Sequence, residues 1–337
     1  MKAALARLAG GNDLPPVLAE EAMELVASGG ASDAQIASFI TALHLKGESA
    51  DEIAAFARVL DRYALKIRPR LQGPLVDTCG TGGDGSGTFN ISTAAAIVAA
   101  GSGAPVVKHG NRKASSSCGS ADVLEALGVR VDLPPQEICS IIEEVGIGFL
   151  FAPVFHPALR HAAKTRSELG FSSVFNLLGP LLNPAGAGAR LCGVYDPELV
   201  PKFARAFLSL GTEHAMVVNG DGIDEITVSG MTRVAEVRQD EITEYTINPG
   251  EFGIQLSPLS ALAGHSPAVN AMIIRRILSG EHGPARDVVV LNAGAAIYLG
   301  GKAGSLSNGI SLAEKAIDTG RAAEKLENLV KATGGRT

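Results

Sequence analysis

The chain has 337 residues, 46% hydrophobic and 19% charged, which is enough to bury one large core or two smaller ones. Its formal net charge of −6 argues against a general nucleic-acid-binding protein, whose affinity comes mainly from Lys and Arg. No apolar run resembles a secretory signal or reaches the ~20 residues of a membrane span, so we expect a cytoplasmic protein without membrane contact. Four cysteines without a C-x-x-C pair predict reduced thiols rather than a zinc site.

The N-terminal part carries the periodicity of helices with one buried face. Two pairs of the S-x-x-E/Q type, Ser32 with Gln35 and Ser49 with Glu52, are typical of capped helix starts. The apolar positions that repeat at helical spacing are Ile36, Phe39, Ile40 and Leu43, then Ile53, Phe56, Ala57 and Leu60. Short helices packed together are predicted here.

After Pro69 the pattern changes to short β-rich runs separated by Gly-rich turns and helices: PLVDTCG, STAAAIVAAG, APVVKHG, ADVLEALG and VRVDL. That alternation predicts βαβ units and a mostly parallel sheet. Two more strands are expected in RLCGVYD and HAMVVNG, followed by a hairpin-like stretch near VSGMTRVAEV. The chain is expected to end in a helix capped by Ser311 and Glu314.

The fold class is therefore α/β, with a small N-terminal helical domain hinged to a larger α/β domain whose central sheet is flanked by helices. The predicted helical domain is residues 1–68. The sheet pattern lapses in residues 152–188, which predicts a hinge and a crossover back toward the helical domain. Residues 69–151 and 189–337 form the predicted α/β domain.

A glycine-rich turn, DTCGTGGDGSGTFNIST, links a predicted strand to an Ala-rich helix, and bare N–H groups at such a helix start bind phosphate. Gly80, Gly82 and Gly85 match G-x-G-x-x-G, but no acidic residue follows about 20 positions later to hold a ribose hydroxyl. No Lys follows in the manner of a kinase-type P-loop. Phosphate binding is favoured over the alternative, a tight structural turn.

Polar groups surround that turn. Asp84, Thr88, Asn90, Ser92 and Thr93 supply oxygens and amides, and the run KHGNRKASSSCGS adds positive charge and a second hydroxyl-rich turn. Together they are suited to a pyrophosphate and a phosphate. The alternative is that the hydroxyls cap a helix and the lysine is a solvated strand end.

A paired acid follows the predicted strand HAMVVNG. Asp224 and Glu225 lie in the turn NGDGIDEI, where carboxylates can hold Mg²⁺ while the ion bridges substrate phosphates. Acidic turns are common, so an ordinary solvated turn is the alternative.

Several long motifs, in order, resemble the anthranilate phosphoribosyltransferase family: GTGGDGSGTFNIST, KHGNRKASSSCGSADVLEALG, RSELG with FNLLGPLLNP, and GIDEI. The resemblance implies transfer of the 5-phosphoribosyl group from phosphoribosyl pyrophosphate to the amine of anthranilate, releasing pyrophosphate, the second step of tryptophan biosynthesis from chorismate. It also implies Mg²⁺ as cofactor, a homodimer associating through the helical domain, and a possible contact with anthranilate synthase.

The resemblance implies site residues position by position. Anthranilate would contact Gly80, Asn111 and Arg166, and Mg²⁺ would contact Ser92, Asp224 and Glu225. No residue is expected to act as a covalent nucleophile, since the catalytic demand is electrostatic and positional. The residues implied for phosphoribosyl pyrophosphate are Gly80, Gly83, Asp84, Thr88, Asn90, Ile91, Ser92, Thr93, Lys108, His109, Gly110, Asn111, Arg112, Lys113, Ala114, Ser115, Ser116 and Ser120.

One departure and three rivals accompany the resemblance. Ser172 and Ser173 stand where the family usually has Arg-Thr, which affects hinge contacts and substrate entry.

A pyrimidine nucleoside phosphorylase would share the architecture. A non-catalytic nucleic-acid-binding homologue would show a broad basic surface and degraded sites. A nicotinamide dehydrogenase would need the missing ribose-binding acid.

Overall fold

A computed structural model describes residues 1–113 and 118–335. Its helices are α1 Lys2–Ala9, α2 Pro16–Ala27, α3 Asp33–Lys46, α4 Ala50–Arg62, α5 Ile91–Gly101, α6 Ser120–Ala126, α7 Pro135–Val145, α8 Ala152–Phe155, α9 Arg160–Leu169, α10 Val174–Leu178, α11 Leu199–Ser209, α12 Pro267–Leu278, α13 Pro284–Leu299, α14 Leu306–Asp318 and α15 Arg321–Ala332. Its strands are β1 Val76–Thr78, β2 Val106–Gly110, β3 Ile147–Phe151, β4 Ala189–Gly193, β5 His214–Gly220, β6 Thr232–Arg238 and β7 Glu241–Ile247.

The N-terminal helices begin where the sequence predicts. Both capping boxes are present: Ser32 accepts from the Gln35 backbone N–H at the start of α3, and Ser49 accepts from that of Glu52 at the start of α4. Glu52 is fully buried, and its carboxylate accepts from the Leu14 N–H at 2.9 Å and from Lys46 Nζ at 2.8 Å. One cap therefore also ties α4 to α3 and to the segment before α2.

Within the described residues the sheet has seven strands, in the order β3-β2-β1-β4-β5-β6-β7. The first five of these are parallel, and β6 and β7 join as antiparallel edge strands. Gln239 and Asp240 have φ of 53° and 61° in the tight turn between them, as a two-residue hairpin loop requires. The mostly parallel α/β sheet beside an N-terminal helical bundle confirms the predicted fold class.

The two faces of the sheet belong to two cores. Along β5, Met216 and Val218 join a core built with α5 and α12 to α15, whereas Ala215 and Val217 face α11 and the N-terminal helices. This division follows the two-residue period of a strand. Helices α9 and α10 contribute to the second core as well, through residues such as Ala162 and Val174.

Two local predictions were wrong. VRVDL is not a strand: Val129, Val131 and Leu133 alternate because they are buried in the larger core, and the sheet position is taken by β3. The last helices are α14, which Ser305 caps by accepting from the Asn308 N–H, and α15. Ser311 lies inside α14 rather than at its start.

No helix in residues 1–113 and 118–335 is long and apolar enough to cross a membrane.

Candidate active site

A cavity of about 310 Å³ opens at the carboxyl ends of β1, β2 and β4, next to the turn that follows β5. The strand order reverses between β1 and β4, and ligands of open α/β sheets bind at such a switch point. One end of the cavity is polar and lined by the glycine-rich loop. The other end is lined by the segment from α8 to residue 182, which returns from the helical part of the chain.

The glycine-rich loop is held in place at both ends. At its start the Thr81 N–H donates to the Gly193 carbonyl at 2.9 Å. Gly82, Gly83, Gly85 and Gly87 all have positive φ, so side chains there would strain the backbone. These turns leave the loop bare of side chains beside the cavity, as close approach to a substrate phosphate requires.

The acidic turn after β5 packs directly on that loop. Asp224 Oδ2 accepts from the Gly82 N–H at 2.8 Å, and Glu225 Oε1 accepts from the Ser92 N–H at 3.1 Å. A Cβ on Gly80 would lie 2.3 Å from Asp224 Oδ2, and one on Gly193 would lie 1.6 Å from the Asp224 carbonyl oxygen. Only glycine fits at both positions, so β4 and the start of the glycine-rich loop pack against the backbone and the carboxylate of Asp224.

The ionised forms of Asp224 and Glu225 are destabilised by their surroundings. Desolvation, followed by repulsion from Asp84, raises the pKa of Asp224. Desolvation and the neighbouring Asp224 raise the pKa of Glu225, which the positive charge of Lys108 only partly offsets. Clustered carboxylates of this kind favour a bound cation.

Lys108 is buried in the middle of β2 and is not the solvated strand end of the alternative interpretation. Its Nζ is 3.2 Å from Ser92 Oγ and also donates to the Thr78 carbonyl. Thr78 Oγ1 in turn donates to the Ser92 carbonyl at 3.0 Å. The ammonium is therefore fixed between β1 and the start of α5, facing the polar end of the cavity.

The opposite end of the cavity is mostly apolar, and among the described residues Arg166 brings a cation to it. Ala152, Leu159, Leu178, Pro180 and Leu182 form much of its wall. Arg166 reaches it from α9, with its guanidinium carbon 5.1 Å from the centre of the Phe175 ring.

Within the described part of the chain, Arg166 has no side-chain hydrogen bond or ion pair. Desolvation lowers the pKa of Arg166, and no neighbouring acid among those residues compensates. A half-buried guanidinium with an aromatic backing and free donors is suited to a planar carboxylate.

Two buried histidines, His109 and His156, lie edge to face behind this wall, with ring centres 5.0 Å apart. Burial lowers the pKa of His109 to about 4, and burial together with His109 lowers the pKa of His156 to about 3, so both are neutral near pH 7. His109 Nδ1 lies 3.2 Å from the Gly179 carbonyl and must donate to it, which makes Nε2 an acceptor. His109 lines the cavity.

Most of the residues implied by the resemblance line this one cavity. Lys113 does not: it is exposed and donates its N–H to Asp122. Arg112 lines the rim, but Glu125 and Asp122 on α6 already pair with its guanidinium. Ala114, Ser115 and Ser116 lie outside the described residues. The cavity is lined by Gly80, Gly83, Asp84, Thr88, Asn90, Ile91, Ser92, Thr93, Lys108, His109, Gly110, Asn111, Arg112, Ser120, Arg166, Asp224 and Glu225.

Residue-level reasoning missed the apolar wall. Phe175, Leu178 and Pro180 belong to FNLLGPLLNP, which we interpreted as a crossover and a family motif without assigning its residues to the site. One feature of the sequence could have indicated this wall. The apolar residues on either side of Gly179-Pro180 follow neither the spacing of a strand nor that of a helix. The Ser172-Ser173 departure lies at its start, where Ser173 precedes α10 and donates its N–H to Asn176 Oδ1 at 3.0 Å.

Known families match nearly the whole chain. Residues 2–64 match the helical bundle domain of a glycosyl transferase family, and residues 72–323 match its a/b domain. The anthranilate phosphoribosyltransferase of Methanocorpusculum labreanum is 56% identical over 98% of this chain and 97% of its own. That of Methanosphaerula palustris is 52% identical over 100% of both chains.

The chain belongs to the anthranilate phosphoribosyltransferase family.

Solved structures of the family agree with this fold. The crystal structure of anthranilate phosphoribosyltransferase from Thermus thermophilus superposes with a TM-score of 0.93 at 46% identity, covering 98% of this chain and 99% of that one. The enzyme from Saccharomyces cerevisiae in complex with PRPP and Mg has a TM-score of 0.89 at 29% identity, covering 98% of this chain and 97% of that one. The chain is accordingly a phosphoribosyl-transferring enzyme of tryptophan biosynthesis.

Proposed function

We propose that this chain transfers the 5-phosphoribosyl group of phosphoribosyl pyrophosphate to the amine of anthranilate and releases pyrophosphate. One observation carries the proposal: a single cavity has a glycine-rich, charged end and an apolar end with one guanidinium that no described residue pairs. The first end suits a phosphorylated sugar and the second suits an aromatic carboxylate. A family member from Saccharomyces cerevisiae was solved with PRPP and Mg, and another time with 4-fluoroanthranilate.

The polar end is assigned to phosphoribosyl pyrophosphate. The glycine-rich loop borders the cavity with little side chain in the way, so its backbone would meet the phosphates, and Lys108 supplies a fixed positive charge. Asn90, Thr88 and Ser120 add neutral polar contacts around the sugar phosphate.

The acidic pair is assigned to Mg²⁺. Hard oxygen donors on a substrate-binding cavity fit this ion, which keeps water and substrate phosphates as further ligands. The crowding of Asp84, Asp224 and Glu225, which Lys108 only partly offsets, supports the fit. Asp224, Glu225 and Ser92 would hold the ion, which when bound neutralises charge on the pyrophosphate.

The apolar end is assigned to anthranilate. Arg166 pairs with the carboxylate, and Asn111 and Gly80 border the ring where the two substrates meet. His109, neutral and hydrogen-bonded to the Gly179 carbonyl, forms part of the wall beside it.

No covalent nucleophile is needed, and Cys79 is unsuited to the role because burial raises the pKa of its thiol to about 12. The protein's contribution is to orient the amine, exclude water and stabilise the departing pyrophosphate.

The test is the loss of anthranilate fluorescence with purified protein, phosphoribosyl pyrophosphate and Mg²⁺, beside controls that each lack one component. The proposal predicts a decay that requires all of them. A folded protein that gives no decay contradicts it. Assays of pyrimidine nucleoside phosphorolysis run in parallel, and the family relationship predicts no such activity.

We also propose that the helical and α/β parts move about three neighbouring connections. The Leu65 N–H donates to the Phe155 carbonyl at 2.8 Å, and the Ile67 N–H donates to the Pro184 carbonyl at 3.1 Å. The segment at residues 65–67 is therefore hydrogen-bonded to both of the other segments, near the apolar end of the cavity. Rigid-body closure there would bring Arg166 toward the glycine-rich loop.

A homodimer through the helical domain is proposed as well. Leu45 is 80% exposed and Val17 is 71% exposed on helices of that domain, which favours a covered face. Sedimentation analysis of the protein and of Leu45→Glu tests this: the substitution should shift a dimer toward monomer. A contact with anthranilate synthase and a cytoplasmic location stay predictions from the sequence.

A further inference from the structure

A fully buried asparagine on α12, Asn270, belongs to a hydrogen-bonded chain that joins Asn90, at the end of the glycine-rich loop, to Cys118. Its Nδ2 donates to Asn90 Oδ1 at 2.9 Å, and Asn90 Nδ2 donates to the Cys118 carbonyl at 3.0 Å. The His265 N–H donates to Asn270 Oδ1 at 2.8 Å. Because both ends of this chain are backbone groups with fixed roles, the orientation of each amide is determined.

The chain segment beside Asn270 also supports the glycine-rich loop directly. Thr88 and Ala263 form an isolated antiparallel bridge, and the Phe89 N–H donates to the Leu262 carbonyl at 2.9 Å. The Gly264 N–H donates to the Gly87 carbonyl at 2.7 Å. The loop is therefore held from behind by residues about 180 positions further along, in a region that carries none of the family motifs quoted above.

A second fully buried asparagine, Asn292 on α13, holds the acidic turn. Its Oδ1 accepts from the Ile226 N–H at 3.0 Å, and its Nδ2 donates to the Ile226 carbonyl at 2.8 Å and to the Val288 carbonyl at 2.8 Å. Ile226 immediately follows Glu225. The amide therefore fixes both backbone groups of the residue next to the metal-binding pair.

Resting on the proposed function, we propose that Asn270 and Asn292 are positioning residues with separate tasks. Asn270 sets the geometry with which Asn90 and the glycine-rich loop hold phosphoribosyl pyrophosphate. Asn292 sets the position of the acidic turn relative to the metal. Neither side chain lines the cavity, so each acts through its neighbour.

The Asn270 arm uses Asn270→Asp, a near-isosteric change. A carboxylate still accepts from the His265 N–H but cannot donate to Asn90, which must either face it lone pair to lone pair or rotate and lose the Cys118 carbonyl. The Kd for phosphoribosyl pyrophosphate, measured by calorimetry at saturating Mg²⁺, should rise on the order of tenfold, together with its KM. The KM for anthranilate should stay unchanged.

The Asn292 arm uses Asn292→Asp as the matched variant, also fully buried and also on a helix. Its carboxylate faces two carbonyl groups. The Kd for Mn²⁺ in the presence of pyrophosphate, followed by electron paramagnetic resonance, should rise on the order of tenfold. At saturating pyrophosphate, the Asn270→Asp variant should leave that Kd unchanged. If the buried carboxylate of either Asp variant prevents folding, Asn270→Ala and Asn292→Ala are used for the same two titrations, because they introduce no charge.

Thermal unfolding accompanies each variant. Parallel losses of both affinities in both variants would reduce the asparagines to ordinary core residues and overturn the proposal, as would wild-type affinities in folded variants. These titrations do not depend on turnover. Wild-type protein that binds phosphoribosyl pyrophosphate but consumes no anthranilate would contradict the proposed function while leaving the positioning roles testable.

Discussion

The two ends of the cavity are built in opposite ways. At the polar end nearly every charged group has a partner in the protein: Lys108 contacts Thr78 and Ser92, and the carboxylates of Asp224 and Glu225 accept backbone N–H groups. At the apolar end Arg166 has an aromatic ring beside it and no acid within the described residues. The difference teaches that the polar end is preorganised for its ligand, whereas the apolar end depends on one cation that its ligand must satisfy.

The largest effect is expected at the polar end. Glu225→Ala should reduce Mg²⁺-dependent turnover by about 10²-fold or more, because a preorganised electrostatic group at the leaving phosphates is lost. Rates measured across a range of Mg²⁺ concentrations check this, with the exposed Glu251→Ala as control. Since Glu225 is desolvated beside Asp224, its removal should not lower the melting temperature in metal-free buffer. A normal magnesium response would disprove the metal assignment.

At the apolar end, Arg166→Gln should raise the KM for anthranilate about tenfold to a hundredfold, as expected for loss of a charge-assisted hydrogen-bonded pair. The KM for phosphoribosyl pyrophosphate should change little. Arg160→Gln, an exposed arginine on the same helix, is the matched control. An equal rise in both KM values would show that the two ends are not separate.

A smaller change is expected from Phe175→Leu. The ring contributes a cation–π contact of about 0.5–2 kcal/mol, so its loss should raise the KM for anthranilate severalfold with little change in kcat. Phe175→Tyr keeps the ring and should restore the wild-type KM. Steady-state kinetics of both variants check this, and a Phe175→Tyr variant whose KM rises as much as that of Phe175→Leu would contradict the cation–π contact.

A site at the far end of the strands should affect stability without affecting turnover. Glu236 on β6 accepts hydrogen bonds from His214 at 2.7 Å, Tyr245 at 2.7 Å and Tyr298 at 2.8 Å. Burial opposes its ionisation, but these three bonds together lower the pKa of Glu236 to about 2.

Because the pKa of Glu236 is lower in the folded than in the unfolded protein, its ionised carboxylate stabilises the fold at pH values above the unfolded pKa, ~4.3. This stabilisation is lost as the pH falls toward 2. Glu236→Gln should therefore lower the free energy of unfolding at pH 7 on the order of 2 kcal/mol. The difference from wild type should shrink as the pH falls from about 5 toward 3. Urea denaturation at both pH values, with the exposed Glu241→Gln as control, measures it. A loss of kcat at pH 7 in a folded Glu236→Gln variant would contradict the expectation that this site affects stability but not turnover.

Local signals were enough to predict much of the fold. Ser32 and Ser49 cap their helices as predicted, because capping depends on residues three positions away. VRVDL failed because its alternation reflects burial in the larger core, and sequence alone does not show whether a neighbouring strand is available.

The site could be predicted in its charged half, where contiguous motifs such as the glycine-rich loop place Asp84 and Ser92 close together. Asn270 and Asn292 could not be predicted. Each meets its partner across a long separation that only the folded sheet and helices close, and a lone asparagine in an apolar helix carries no local sign of its role. Phe175 was missed for the same reason, since its contact with Arg166 depends on how α9 meets α10.

The most direct test is a crystal structure with phosphoribosyl pyrophosphate, Mn²⁺ in place of Mg²⁺, and a fluorinated anthranilate of reduced nucleophilicity. The account predicts an anomalous peak at coordination distance from Asp224 or Glu225, pyrophosphate on the glycine-rich loop, and the aromatic carboxylate paired with Arg166. A metal bound away from the acidic turn, or an anthranilate whose carboxylate lies apart from Arg166, would contradict the division of the cavity into two ends.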